Sequence, residues 1–254
     1  MLKRVLPAAA LLLLALAAWW WVASWDSVDD LLLASPSETW QALRDDRELL
    51  LDNAWVTLVE VLLGLAIAIA AAFLLAVAMH LVRPLRDAAY PLLVASQAVP
   101  IFVLAPIFVL APIFVLAFDY GIGPKLALVA LISFFPIAVG LLDGLRSVDA
   151  DLVKLMQSLG ASRVFRLTRV ELPAALPGFF SGLRIGASVA VIGAVFGELA
   201  GADEGLGRLI FLGNNQLETP RVYAGVVILT VMAVGLFALV SLAERAAVPW
   251  RTKT

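Results

Sequence analysis

The stretch AWVTLVEVLLGLAIAIAAAFLLAVAMHLV, residues 54–82, decides the fold. One acidic residue, Glu60, and one histidine, His80, interrupt an otherwise apolar run. A helix needs about 20 such residues to cross a hydrocarbon core about 30 Å thick. Comparable runs stand at roughly 5–25, 90–118, 125–145, 177–199 and 222–244, so six transmembrane helices are expected in an all-α polytopic membrane protein. Composition agrees: 63% of the chain is hydrophobic and 15% charged, against about half and a quarter in soluble domains. Its 254 residues contain no long polar stretch, so the whole chain reads as one transmembrane domain. Cysteine is absent, which excludes disulfide and thiolate–zinc chemistry. The net charge of −2 decides nothing, because membrane proteins place charge by side rather than by sum.

The segments between the spans set the orientation. Lys3, Arg4, Arg83, Arg86, Arg146, Lys154, Arg163, Arg166, Arg169, Arg184, Arg245, Arg251 and Lys253 fall on one side, and Arg44, Arg47, Lys125, Arg208 and Arg221 on the other. Thirteen basic residues against five place both termini in the cytoplasm of a bacterial cell. The first run is longer than the apolar region of a signal peptide and ends in Trp19, Trp20, Trp21 and Trp25. Tryptophans suit the headgroup interface, so a retained span is expected. The acidic stretch 26–52 is expected to hold a short amphipathic element on the outer side.

The connection at 145–177 is much longer than a helix hairpin needs. Asp149 or Ser147 can cap a helix there, with Asp151 in its first turn. Leu152, Leu155, Met156 and Leu159 form an amphipathic stripe, and Gly160 takes the position just past the helix end, where φ > 0 is expected. Arg163, Arg166 and Arg169 follow at three-residue spacing, suited to anionic headgroups or an acidic partner. Pro173 and Pro177 are expected to stop this segment before the fifth span. The apolar stripe must either lie on lipid or seat in a partner.

Gly160, nine residues, then Val170-Glu171-Leu172-Pro173 resembles the loop motif of bacterial ATP-binding-cassette (ABC) importer permeases. That motif opens on an acidic-small-small triplet, where this chain has Lys154, Leu155 and Met156. The stretch GASRVFRLTRVELPAALPGFFSGLRIG, residues 160–186, resembles the nitrate, sulfonate, taurine and thiamine-precursor branch. YPLLVASQAVP (90–100), FFPIAVGLLDGLRSVD (134–149) and GAVFGELAGADEGLG (193–207) look most like permeases for the thiamine pyrimidine precursor. The resemblance implies a type I importer permease that pairs with a second copy of itself, two ATPase subunits and an extracytoplasmic solute-binding protein. It makes Leu152, Leu155, Met156, Leu159, Gly160, Ala161, Leu172 and Pro173 the residues that couple to the ATPase. ATP and magnesium would be bound by that partner. This chain has no G-x-x-x-x-G-K-[ST] loop and no metal or water-activating cluster, so neither a cofactor nor catalysis is expected on it. A nucleic-acid partner is not expected either.

Polar residues inside a span are costly and generally face a protein interior or a wet path. Glu60, about two turns into the second span, shares a stripe with Thr57, Gly64, Ala68 and Ala72; it either faces that interior or snorkels outward. Ser96 and Gln97 precede Pro100 at a kinked, polar turn that lines a path or bonds a neighbouring helix. Glu198 closes the fifth span ahead of Gly201, Gly205 and Gly207, as an outer gate or a capped helix end. Glu60, Ser96, Gln97, Pro100 and Glu198 are the candidate path residues. His80 reads as an interfacial residue. A stand-alone secondary transporter would show paired intramembrane charges or inverted repeats, and an intramembrane enzyme a catalytic pair; neither is visible.

Residues 101–118 read IFVLAP, IFVLAP, IFVLAF. Six residues turn a helix by about 600°, so successive copies point about 240° apart and cannot share a face. As one helix, 90–118 would run about 43 Å, longer than the core it crosses. A duplicated unit absorbed at Pro106 and Pro112, or by protrusion, is expected.

Overall fold

The computed structural model describes residues 2–25, 32–96, 121–199 and 202–250. Gln97, Pro100, the repeat at 101–118, Gly201, Arg251 and Lys253 lie outside them.

The described chain is built of helices. In order they are α1 (Leu2–Ala23), α2 (Pro36–Asp45), α3 (Arg47–Leu81), α4 (Arg83–Ser96), α5 (Ile122–Arg146), α6 (Ala150–Ser158), α7 (Arg163–Arg166), a π-helical turn (Leu167–Glu171), α8 (Leu172–Leu199), α9 (Leu206–Asn215) and α10 (Thr219–Ala247). Four stretches among the described residues are long and apolar enough to cross a membrane: α3, α5, the continuous stretch Arg163–Leu199, and α10. α1 occupies the place of the expected first span, with Leu13–Ala23 as a shorter apolar helix, and most of the expected third lies outside the described residues.

α5 and α8 form the centre of the bundle. Glycines let their backbones touch: a Cβ on Gly140 would stand 2.6 Å from the Gly178 carbonyl oxygen, and one on Gly144 2.7 Å from that of Ala175. This is the close approach that small residues permit between membrane helices. α3 lies against α5 through the stripe read in the sequence, with Thr57, Glu60, Gly64, Ala68 and Ala72 all buried. α10 packs on α8, and its outer face, including Val231, Val234, Leu239 and Leu242, is exposed. The bundle has two distinct ends. One carries α6 and α7; the other carries α2 and α9.

Local expectations hold in several places. The short element in the acidic stretch is α2, opened by a capping box in which the Glu38 N–H donates to Ser35 Oγ and the Ser35 N–H to Glu38 Oε2. Asp149 caps α6 by accepting the Asp151 N–H at 2.8 Å. Gly160 has φ +78°. The Gly160 N–H donates to Gln157 O and the Ala161 N–H to Met156 O, the pair of bonds that closes a Schellman turn.

Two expectations are corrected. α3 begins at Arg47 rather than near 54, so Glu60 lies almost four turns into its helix, not two. Pro173 and Pro177 do not stop the chain; the helix runs through both into the fifth span. The π turn explains how. Leu172 N–H donates to Leu167 O, five residues back, and the wider turn leads into Pro173, which has no N–H to place.

Candidate functional site

At the α9 end, three elements are tied by a buried polar network. The side chain of Glu198, in the last turn of α8, is fully buried. Its Oε1 accepts from Thr57 Oγ1 at 2.6 Å and its Oε2 from the Gly207 N–H. Thr57 Oγ1 in turn accepts the Leu206 N–H at 2.9 Å, and Asn53 Oδ1 accepts the Gly205 N–H at 2.7 Å. The first N–H groups of a helix have no partner within it, and its positive dipole end favours a carboxylate. Here α3 and α8 supply what α9 lacks. Gly205 has φ +119°, and a Cβ there would run into the Glu198 carboxylate, so the glycine is required twice over.

Glu60 lies beside this network with 1% of its side chain exposed. Lys125, from the first turn of α5, donates to Glu60 Oε1 at 2.6 Å. A buried carboxylate without a partner would cost several kcal/mol, so this pair holds α3 to α5 by the penalty of separating it. Both residues also line a cavity of about 420 Å³ that reaches Asp203 and Glu204. Farther out, Arg221 Nε donates to Asp46 Oδ2 at 2.7 Å and joins the start of α10 to the α2–α3 corner.

Along the α5–α8 crossing runs a groove of about 740 Å³. Its lining is small and mostly apolar, with Gly140, Gly178 and Gly182 at its floor and Asp143, Ser147 and Ser181 as polar points. At the α6 end, Leu152, Leu155 and Leu159 are 42%, 56% and 73% exposed, an apolar stripe that no described element covers. His80 bonds Glu171 at 2.8 Å, so the interfacial histidine ties the end of α3 to the π turn that carries α7 into α8.

The structure brings together two of the expected path residues, Glu60 and Glu198, and places them in the network at the α9 end. Ser96 ends α4, while Gln97 and Pro100 lie outside the described residues. Among the expected coupling residues, Leu152, Leu155, Met156, Leu159, Gly160 and Ala161 form α6 and its closing turn. Leu172 packs into the core with Leu145 and Ala175, and Pro173 follows it into α8. Lys125 was read only as an outer charge. Its signal was its place as the lone base at the mouth of an apolar span. The groove was also missed, although Gly140 and Gly144, and Gly178 and Gly182, stand four apart.

Four long apolar helices among the described residues, packed around the α5–α8 crossing, define a polytopic helical membrane protein. The family model "Binding-protein-dependent transport system inner membrane component" matches residues 54–253, and the chain belongs to that family. It is the permease subunit of an ABC importer. It is 38% identical over 197 residues to the formylaminopyrimidine transport permease protein ThiX of Halalkalibacterium halodurans, covering 78% of this chain and 76% of that one. It is 36% identical over 216 residues to a probable ABC transporter permease protein of Haemophilus influenzae, covering 85% and 86%. The taurine permease protein TauC of Escherichia coli is 39% identical over 52% of this chain and 48% of its own. The fold matches a chain of the MetNI methionine ABC transporter, in inward-facing conformations, with TM-score 0.70 and 17% identity over 80% of this chain and 98% of that one.

Proposed function

We propose that two copies of this permease form the path of a small organic solute across the inner membrane, with the α6 end in the cytoplasm. The stripe Leu152, Leu155 and Leu159 seats on a separate ATPase subunit, and each copy takes one. An extracytoplasmic solute-binding protein delivers the solute at the α9 end. The observation that carries this reading is the mounting of α6. An exposed apolar stripe is closed by a Schellman turn at Gly160, and after the short turn at 159–162 the chain runs from Arg163 through α7 and the π turn into α8 without a break. A displacement of α6 therefore acts on the central helix of the bundle. The basic residues of 145–177 and both ends of the chain support the cytoplasmic side.

The α5–α8 groove, with small residues and three polar points, suits a path wall where two copies face each other. A thiamine pyrimidine precursor is the leading solute, supported by the resemblance to the formylaminopyrimidine permease; sulfonate, taurine or a nitrate-like anion follows. The test is solute-stimulated ATP hydrolysis by the reconstituted importer with its binding protein, using a formylaminopyrimidine and taurine in parallel. Gly160→Val should remove stimulation while leaving membrane insertion intact, because a β-branched residue is strongly disfavoured at positive φ. Normal stimulation in that variant would refute the coupling role of α6.

A further inference from the structure

Behind α6 lies a second cavity, of about 470 Å³, within the size range of small-ligand sites at roughly 300–1,000 Å³. Its wall gathers Arg83 and Arg86 from α4, Arg146 from the end of α5, and Arg163 and Arg166 from α7. Five arginines thus line one space, and the Arg86 guanidinium is paired with the neighbouring Asp87 at 3.2 Å. Among the described residues the lining holds a single carboxylate, Glu171, and His80 already bonds it. Arg163 is fixed by donating to the carbonyl of Leu81, the last residue of α3. The Nε–H of Arg166 is buried and has no hydrogen-bond partner among the described residues. A buried donor left unpaired costs about 1–3 kcal/mol, which an acceptor entering the cavity would relieve. Arg169 lies beyond, in the π turn, and is exposed.

We infer that this cavity binds a phosphate-bearing anion, with the phosphate of an anionic membrane lipid as the favoured source. Guanidinium groups present paired donors that match phosphate oxygens, and several around one space suit an anion of more than one acceptor. Position favours the lipid. His80 and Leu81 end α3 and Leu145 and Arg146 end α5, so the cavity sits where two spans leave the membrane, at headgroup level. Position also argues against the ATPase as occupant. Ala150, Val153 and Gln157 of α6 line the cavity, whereas Leu152, Leu155 and Leu159 leave from the opposite face of the same helix. A lipid phosphate held there would brace α6 from behind while its other face is free to dock.

The full chain purified in detergent tests this by thermal melting and by mass spectrometry of retained lipid. Phosphatidylglycerol, phosphatidylcholine and inorganic phosphate are titrated separately. Phosphatidylglycerol should raise the melting temperature saturably and remain bound, and phosphatidylcholine should not. Arg83→Gln and Arg146→Gln, both at exposed positions, should each weaken the apparent affinity about fivefold. Arg166→Gln should weaken it at least as much, and Arg208→Gln at the α9 end should leave it unchanged. A shift produced equally by inorganic phosphate, and lost in the same variants, keeps the site and assigns it to a soluble phosphate. Absence of any anion-dependent shift, or a shift undiminished in Arg83→Gln and Arg146→Gln, overturns the inference. So does a loss of ATPase assembly in those variants without any anion response, since the arginines would then serve an acidic protein surface.

Discussion

Charge is held in opposite ways at the two ends of the bundle. At the α9 end, Glu198 accepts from Thr57 and Gly207, and Glu60 is paired with Lys125. Donors come from α3, α5 and the start of α9, and the groups are buried. At the α6 end, five arginines line a cavity whose lining holds one carboxylate, and five of the lining residues, Arg83, Arg146, Ala150, Gln157 and Arg163, are exposed. Satisfied buried networks fix one arrangement of the elements that share them. Open, like-charged clusters do the reverse: they repel until an anion arrives. At one end the carboxylates meet donors from this chain, although Glu60 Oε2 stays unpaired among the described residues; at the other the excess charge is positive and open to an anion from outside.

The comparison breaks first at Lys125. Replacing it by Met leaves Glu60 buried without its cation, at a cost of about 4 kcal/mol, or roughly 12 °C in melting temperature for a chain of this size. Adding Glu60→Gln should recover most of the loss, because the penalty belongs to the orphaned charge rather than to the missing contact. A double variant no more stable than Lys125→Met alone would show that the pair is not what holds α3 to α5.

A smaller effect sharpens the same end. Thr57→Val keeps the shape but removes the hydroxyl that donates to Glu198 and accepts from Leu206. The expected cost is about 2 kcal/mol, with faster hydrogen exchange at the amides of Leu206 and Gly207. Unchanged protection at those amides would mean that α9 is held by its apolar contacts with α10 instead. The smallest effect belongs to the other end. Without added lipid, Arg83→Gln should change stability by less than about 0.5 kcal/mol, because an exposed member of a like-charged cluster contributes little to the fold. A large destabilisation there would erase the contrast between the ends.

What the sequence determined by itself is what depends on near neighbours along the chain. Apolar runs long enough to span lipid made the molecule helical and membrane-embedded. The capped helix at 150–158, its exposed stripe and the glycine that ends it were readable because caps and helical periodicity act within a turn or two. The small-residue face of α3 was readable for the same reason. The tertiary structure alone decided who meets whom. Thr57 and Glu198 are 141 residues apart, and Glu60 and Lys125 65 apart. Their pairing depends on how far each helix is rotated and shifted against its neighbour, which the packing of Gly64, Gly140 and Gly182 sets. The continuity of the helix through Pro173 was equally hidden, because it rests on a backbone bond from Leu172 to Leu167 that residue identities do not announce. The arginine cavity is the plainest case. Three segments contribute arginines to it; the spacing at 163–169 already suited an anionic or acidic partner, but only the crossing of the helices brings Arg83, Arg86 and Arg146 to the same space.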